Sequence, residues 1–544
     1  MATEARQRAY LSTIFPVMFA QRLLPSAALL TILLGHAAQA QAPIKTSQPG
    51  AAPKPAVGTP LMLRPPAAPK PAPRSGPTSL LKVNCTYQDP NFQIPWQKEN
   101  PGQRRGLGSV LSQRRILVTA QLVANATYIE LELSDGTLKI PAKVLARDYE
   151  ANLALLAADS SPEKTEPFFS QLKPIELDEG ATIGDMLALW QSGRVGELIV
   201  TPLRISKVLV SGYVVSTPPL LVYEAQGIVR SENNSFTLPA VRGDKLAGLL
   251  LRYDSKNQVA ALLPAPIIAH FLRDVADGNY EGFPTLGVEL QNTQDDQWRD
   301  YLGLAGRKGG IYVSRVMKGG SAQSLGIKSG DILLSINGHE VDSRGDYRDE
   351  RYGALNASHL LRGSALIGDE AQVEVLREGK VLRLKGKLTR RQAEDYLVPP
   401  YLFEKGPPYL VLGGVVFGQL TESHLMGFNQ RSGAVQRLAR IAARPEELER
   451  EGRRRVVFLS TILPTPSTQG YDQLSGQVVL EVNGRKITRL RDVAEALKSP
   501  VDGIHTLKLR EFPHLLHLDA KLVEADNLTL QNGPYRISQL QRLD

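Results

Sequence analysis

The chain has 544 residues, a formal net charge of +9, 42% hydrophobic residues and a single cysteine. One cysteine excludes an internal disulfide, and so small a charge excess over so long a chain argues against the dense basic face that nucleic-acid binding needs. The apolar content supports buried cores, and the length requires several domains.

In residues 1–40, Arg22 precedes an apolar run from Leu23 to Gly35 that ends at Ala38-Gln39-Ala40. A basic start, a short apolar run and a small-x-small end make a cleavable signal, more compact still if the chain starts at Met18. The run is too short to span a bilayer comfortably, and a retained anchor is the alternative. This predicts an exported protein, periplasmic or secreted, with no membrane span once the signal is removed. Residues 41–79 are rich in Pro and Ala, carry Lys45, Lys54, Arg64, Lys70 and Arg74, and hold no acidic residue. Such a stretch cannot bury enough apolar surface to fold and reads as a semi-extended linker.

From Arg104 to Leu156, short apolar runs alternate with polar turns. Gly106–Leu111, Ile116–Thr119, Tyr128–Leu133, Ala142–Ala146 and Asn152–Ala157 read as strands, and Ser134-Asp135-Gly136-Thr137 as a hairpin turn. This spacing predicts a small β-barrel. A second one is predicted over Ile175–Phe271, with strands at Met186–Trp190, Leu203–Val210, Leu220–Tyr223 and Leu246–Leu251 and a closing helix at Pro264–Val275. Cys85 has no nearby histidine to lower its pKa and reads as a small buried residue. The histidines are scattered, and no P-loop or dinucleotide fingerprint is present, so neither a metal nor a cofactor is expected.

Val118-Thr119-Ala120-Gln121-Leu122-Val123 resembles the T-A-A-H motif of the HtrA (Deg, or Do-like) serine proteases, and Asn152-Leu153-Ala154-Leu155-Leu156 resembles their D-L-A-L-L. The run Cys85-x4-Pro90-Asn91-Phe92-x2-Pro95-Trp96-Gln97 resembles the segment before the protease domain in the long, plant-type Deg branch. Pro239-x3-Gly243-Asp244-Lys245 matches a third family pattern, and counting back from it without a gap lays Asn234–Pro239 on the family's G-N-S-G-G-P. The resemblance therefore implies that Gln121, Asn152 and Phe236 occupy the places of the catalytic His, Asp and Ser. Phe has no nucleophilic atom, Gln does not shuttle protons at neutral pH, and a neutral Asn does not stabilise an imidazolium. The expectation is a catalytically degenerate chain that is not an enzyme, with Ser235 as the one candidate for a relocated nucleophile.

Thr285-Leu286-Gly287-Val288 and Leu325–Gly338 resemble a PDZ domain, the first as its carboxylate-binding loop. In such a domain the loop amides bind a terminal carboxylate and the peptide adds a strand to the sheet. Pro408–Val523 resembles a second, more divergent PDZ domain, interrupted at Ser432–Arg455 by a charged stretch that reads as a surface helix.

The predicted fold is mainly β: a trypsin-like double β-barrel followed by two PDZ domains of α+β type. The predicted divisions are 1–40 signal, 41–79 linker, 80–278 protease-like domain, 284–390 first PDZ domain and 400–530 second. The function implied is an exported pseudoprotease acting as a peptide-binding scaffold or adaptor. Its expected partners are carboxyl termini or extended peptides of envelope proteins, held by Thr285, Leu286, Gly287 and Val288, and further copies of itself in a homo-oligomer. The alternatives are an active serine endopeptidase with relocated residues and a chaperone-like holdase.

Overall fold

The computed structural model describes residues 78–543 apart from 193–196, 214–217, 231–235, 428–431 and 534. The expected signal, most of the linker and Ser235 lie outside the described residues.

Six strands close the first barrel: β1 (Leu80–Tyr87), β2 (Gly102–Val110), β3 (Ile116–Val118), β4 (Ala126–Glu132), β5 (Lys139–Asp148) and β6 (Leu153–Ala158), in the order β1-β2-β3-β6-β5-β4. Period-two alternation sets the inward faces. In β4, Ile129 and Leu131 are buried while Glu130 and Glu132, between and after them, stay partly exposed. β3 runs antiparallel to β6 with Val118 opposite Ala154, and the short helix α1 (Ala120–Val123) follows β3 directly. That register brings the residues just after β3 beside those just before β6.

The second barrel holds β7 (Met186–Ser192), β8 (Leu198–Ser211), β9 (Leu220–Gln226), β10 (Pro239–Arg242), β11 (Lys245–Asp254) and β12 (Val259–Pro264), ordered β10-β11-β12-β9-β8-β7. Helix α2 (Ala265–Val275) follows, burying Ile267, Ile268 and Phe271, with Pro264 as its cap residue. All four expected strands form. β10 and β12 were not legible as strands: β10 has four residues, and β12 runs straight into α2 at Pro264, so its apolar stretch merges with that of the helix.

The next module contains β13 (Val288–Gln291), β14 (Ile311–Val316), helix α3 (Ser321–Leu325), β15 (Ile332–Ile336), β16 (His339–Glu340), β17 (Asp346–Asp349), β18 (Gly353–Asn356), helix α4 (His359–Arg362), β19 (Glu370–Arg377) and β20 (Lys380–Lys387). Its main sheet runs β13-β14-β15-β19-β20, which leaves β13 as an outer strand.

The last module contains β21 (Tyr409–Leu412), β22 (Val415–Gln419), helices α5 (Gly433–Ala443) and α6 (Glu446–Arg450), β23 (Val457–Ile462), β24 (Val479–Val482), β25 (Arg485–Lys486), helix α7 (Leu490–Ala496), β26 (Ile504–Leu509), β27 (Leu515–Asp519), helix α8 (Ala520–Asn532) and β28 (Gln541–Arg542). Two sheets run β23-β22-β21-β28 and β25-β24-β26-β27. The charged stretch expected as a surface helix forms α5 and α6, which bury Leu438 and Leu448 against Phe458 and Val478. Its basic end is also structural: Arg453 donates to the carbonyls of Val479 and Ile487, and Arg455 to those of Ala393, Glu394 and Tyr396.

The Pro90–Trp96 run forms the loop between β1 and β2 and clasps the last module. Phe92 meets His424 edge-on at 4.8 Å between ring centroids, Trp96 lies 6.0 Å from Tyr409, and Arg542 donates to the Pro95 carbonyl at 2.7 Å.

Candidate functional site

The first candidate site lies where the barrels meet. Asn152 is buried and has a φ of 55°, in the left-handed region that Asn tolerates better than most residues. This turn delivers its side chain to Gln121: Asn152 Oδ1 accepts from the Gln121 backbone N–H at 3.0 Å, and Asn152 Nδ2 donates to Gln121 Oε1 at 3.4 Å. The main chain reinforces the pairing, with the Ala120 N–H donating to the Asn152 carbonyl at 3.1 Å.

Phe236 belongs to the second barrel's sequence yet packs against the first barrel's core. Its N–H donates to the Arg105 carbonyl, and its own carbonyl accepts from Thr119 Oγ1 at 3.0 Å. Thr237 continues the stitch, its Oγ1 accepting from the Thr119 N–H at 3.0 Å. Arg104, which sequence reasoning missed, links Gln121 to Phe236. Its guanidinium covers the Tyr87 ring at 3.6 Å and stands 5.6 Å from the Phe236 ring, while Nη1 donates to the carbonyls of Gln121 and Ala124. Gln121, Asn152 and Phe236 thus share one neighbourhood. Cys85 is buried nearby, its thiol pKa pushed up to about 11 chiefly by that burial.

The second candidate site is the loop before β13. The carbonyls of Thr285, Leu286 and Gly287 accept from the N–H groups of Ser321, Ala322 and Met317. With the carbonyls so held, the N–H groups of Leu286 and Gly287 find no acceptor among the described residues. Gly287 has a φ of +72°, and a Cβ there would lie 2.7 Å from the Gly320 Cα, so only glycine fits. Leu286 and Val288 are partly buried against the core.

Arg362 of α4, fully buried, braces this loop by donating to the Pro284 carbonyl at 2.7 Å and to Thr285 Oγ1 at 3.1 Å. It also faces Glu150 of the first barrel at 3.5 Å, and Arg390 reaches Glu150 at 3.2 Å and Asp148 at 3.6 Å. Burial lowers the Arg362 pKa, and the two carboxylates oppose that. Asp148 in turn accepts from the Ala151 N–H, immediately before Asn152. The network therefore joins the two candidate sites. It escaped the sequence because its members lie hundreds of residues apart.

The corresponding loop of the last module is closed. Gly414 accepts from the Leu463 N–H at 2.8 Å, as Gly287 accepts from Met317 at 2.8 Å, which equates the two glycines. In the last module, however, the Gly413 N–H donates to Asn527 Oδ1 of α8 at 2.8 Å. The strand edge is closed too, because β21 pairs with β22 and β28 pairs with β21. Leu410 and Leu412 of β21 pack with Leu490 and Val493 of α7. Among the described residues no group of three His, Cys, Asp or Glu side chains is placed to hold a metal, and no helix is long and apolar enough to cross a membrane.

Two closed six-stranded barrels followed by two such modules define a trypsin-like double barrel with two appended α+β modules. PDZ-domain family models match residues 283–348 and 398–539. Protease Do-like 2, chloroplastic, of Arabidopsis thaliana is 25% identical over 423 residues, 77% of this chain and 67% of that protein. Protease Do-like 4, mitochondrial, of the same plant is 25% identical over 426 residues, 77% of each chain. The serine protease Do-like HtrA of Bacillus subtilis is 23% identical over 286 residues, 51% of this chain and 61% of that one. Among solved structures, the HtrA-type protease AlgW with a tripeptide aligns at a TM-score of 0.44 and 20% identity, covering 59% of this chain and 95% of that one. Over three quarters of its length the chain is similar to HtrA/Deg (Do-like) proteases, and it carries two PDZ domains.

One expectation is overturned. The chain was expected not to be an enzyme, whereas the relatives that match three quarters of its length are named as proteases. That expectation rested on three side chains, Gln121 and Asn152 placed by motif resemblance and Phe236 by a gapless count. The hydroxyl next to Phe236, on Ser235, lies outside the described residues, so the identity of residue 236 alone does not decide the chemistry.

Proposed function

We propose that this HtrA-type chain captures the carboxyl termini of other exported proteins through its first PDZ domain and serves as a scaffold or adaptor for them. The observation that carries this reading is the loop before β13, where two backbone N–H groups lack acceptors beside an outer strand. A terminal carboxylate supplies the missing acceptors, and the preceding residues extend the sheet from β13. Each main-chain bond contributes roughly 1 kcal/mol net, and ordering the peptide offsets much of that, so affinity on the order of micromolar is expected. The proposed divisions remain 80–278 for the barrels, 284–390 for the first PDZ domain and 400–530 for the second, together with β28. Export rests on the apolar run of residues 23–35 and the Ala38-Gln39-Ala40 end; a homo-oligomer is part of the same proposal.

Titration of the purified chain with a peptide bearing an apolar last residue tests the reading. The free-acid peptide should bind and its amidated form should lose most of that binding. Equal binding of the two, or none at millimolar peptide, overturns it.

The relatives' protease names favour a second reading, in which a captured chain is also cleaved. Ser235 would then supply the hydroxyl. Covalent labelling by a fluorophosphonate that disappears in Ser235→Ala supports this reading; absence of labelling removes Ser235 from it.

A further inference from the structure

The proposed groove has an outer wall with a charge pattern of its own. Along β13, Val288 and Leu290 pack toward the core, which turns Glu289 to the opposite face. Glu289 sits opposite Arg315 of β14, with Arg315 Nε 3.1 Å from a Glu289 carboxylate oxygen. Helix α6 of the second PDZ domain reaches the same guanidinium, placing Glu446 at 3.3 Å and Glu449 at 3.4 Å from Arg315 Nη1. Three carboxylates thus share one cation, and one of them stands on the outer strand. The Glu289 side chain is 53% exposed.

We infer that the first PDZ domain selects carboxyl-terminal peptides that are basic at alternate positions, at the residue before the last and two residues further back, with Glu289 as the specificity-determining residue. The inference rests on the peptide-binding reading above and adds the chemical class of its ligand. Side chains of a strand point alternately to its two faces. If the terminal carboxylate meets the amides of Leu286 and Gly287, the last residue faces inward with Val288 and its predecessor faces outward opposite Glu289. Directly opposed side chains interact strongly, and diagonal ones lie within reach of a long side chain. Neighbouring strands lie about 4.8 Å apart, which puts Glu289 one strand from the peptide and Arg315 two strands away, at about 10 Å. The peptide therefore meets the carboxylate first, and Arg315 is already shared among three acids. An acidic peptide would face Glu289 directly, with the cation behind it.

The test uses the full chain and three free-acid peptides alike except at those two positions, which carry Lys, Ala or Glu. Surface pairs of this kind are worth a few-fold each, so the Lys peptide should bind roughly five- to tenfold more tightly than the Glu peptide, with Ala between them. The difference should shrink as salt rises. Glu289→Gln should bring the three affinities together while the Ala peptide binds as before. Equal affinities in the native chain, tighter binding of the Glu peptide, or discrimination that survives in Glu289→Gln overturns the inference. If none of the three peptides binds, it is the peptide-binding reading itself that fails, so the two failures are told apart.

Discussion

The two PDZ domains of this chain build the same loop and dispose of it in opposite ways. In the first, Leu286 and Gly287 present N–H groups to an open edge; in the second, Asn527 takes the Gly413 N–H and β21 lies along β22. The difference comes from neither glycine. It comes from the flanking chain, since residues ahead of the second loop fold back as a strand and a helix after β27 supplies the capping amide. A PDZ sequence pattern thus identifies the fold, while its flanks decide whether the groove is free.

The comparison can be broken by substitution at the equivalent glycines. Gly287→Val, at a φ of +72° with 2.7 Å to the Gly320 Cα, should abolish peptide binding by the first domain, read by titration calorimetry. Gly414→Val, at a φ of +106° with 2.7 Å to the Leu463 carbonyl, should lower the melting temperature and leave that binding intact. Loss of peptide binding in the second variant would mean that the second domain contributes to the site.

A smaller but still large effect is expected from the brace behind the first loop. Arg362→Met leaves Glu150, which is 4% exposed, with Arg390 alone. Breaking a buried pair from one side costs about 3 kcal/mol, and adding Glu150→Gln should restore much of that in urea unfolding. Failure of the second substitution to restore stability would show that the pair does not act as a unit.

Acid should act through two buried histidines. His270 stacks on Phe283 at 4.2 Å, and burial lowers its pKa to about 4; His424, between Phe92 and Phe458, is lowered by burial to about 3. Because both folded values lie below the ordinary 6.5, the unfolded chain binds protons first as pH falls. Stability should be flat above about pH 6.5 and drop toward pH 4 by up to about 1.4 kcal/mol per unit for each histidine. His270→Phe should flatten part of that slope; an unchanged slope would assign acid sensitivity elsewhere.

The smallest effect sharpens the comparison most. Asn527→Ala removes one acceptor from Gly413 and should cost about 1 kcal/mol. It should not create a second peptide site, because β21 still fills the strand position. A second binding event in that variant would show that the cap alone keeps the second domain closed.

Much of this was legible in the sequence where signals are local. Alternation at Tyr128–Leu133 marked a strand, and the resemblance of their motifs to T-A-A-H and D-L-A-L-L paired Gln121 with Asn152, which β3 and β6 bring together by pairing in register. Thr285–Val288 was recognisable by its resemblance to the PDZ carboxylate-binding loop. What escaped depends on distant partners. Arg362 and Glu150 carry no pattern that links them, nothing around Arg104 pointed to the Tyr87 and Phe236 rings it meets, and the Arg453-Arg454-Arg455 run gave no hint that two of its members would bind carbonyls. Strand β10 has only four residues, and β12 continues directly into α2, so neither stands out before the sheet is seen.

The clasp around Pro95 has a consequence for the timing of folding. The Arg542 to Pro95 hydrogen bond joins positions 447 residues apart. A chain emerging at about 5 to 20 residues per second finishes the β1–β2 loop well before that arginine exists. During that interval Trp96 and Phe92 have no Tyr409 or His424 to pack on, so two large apolar rings stay uncovered while both barrels form. The period of greatest risk for self-association would then fall late in synthesis, and a helper that shields the Pro90–Trp96 loop would be needed only until the last module is complete.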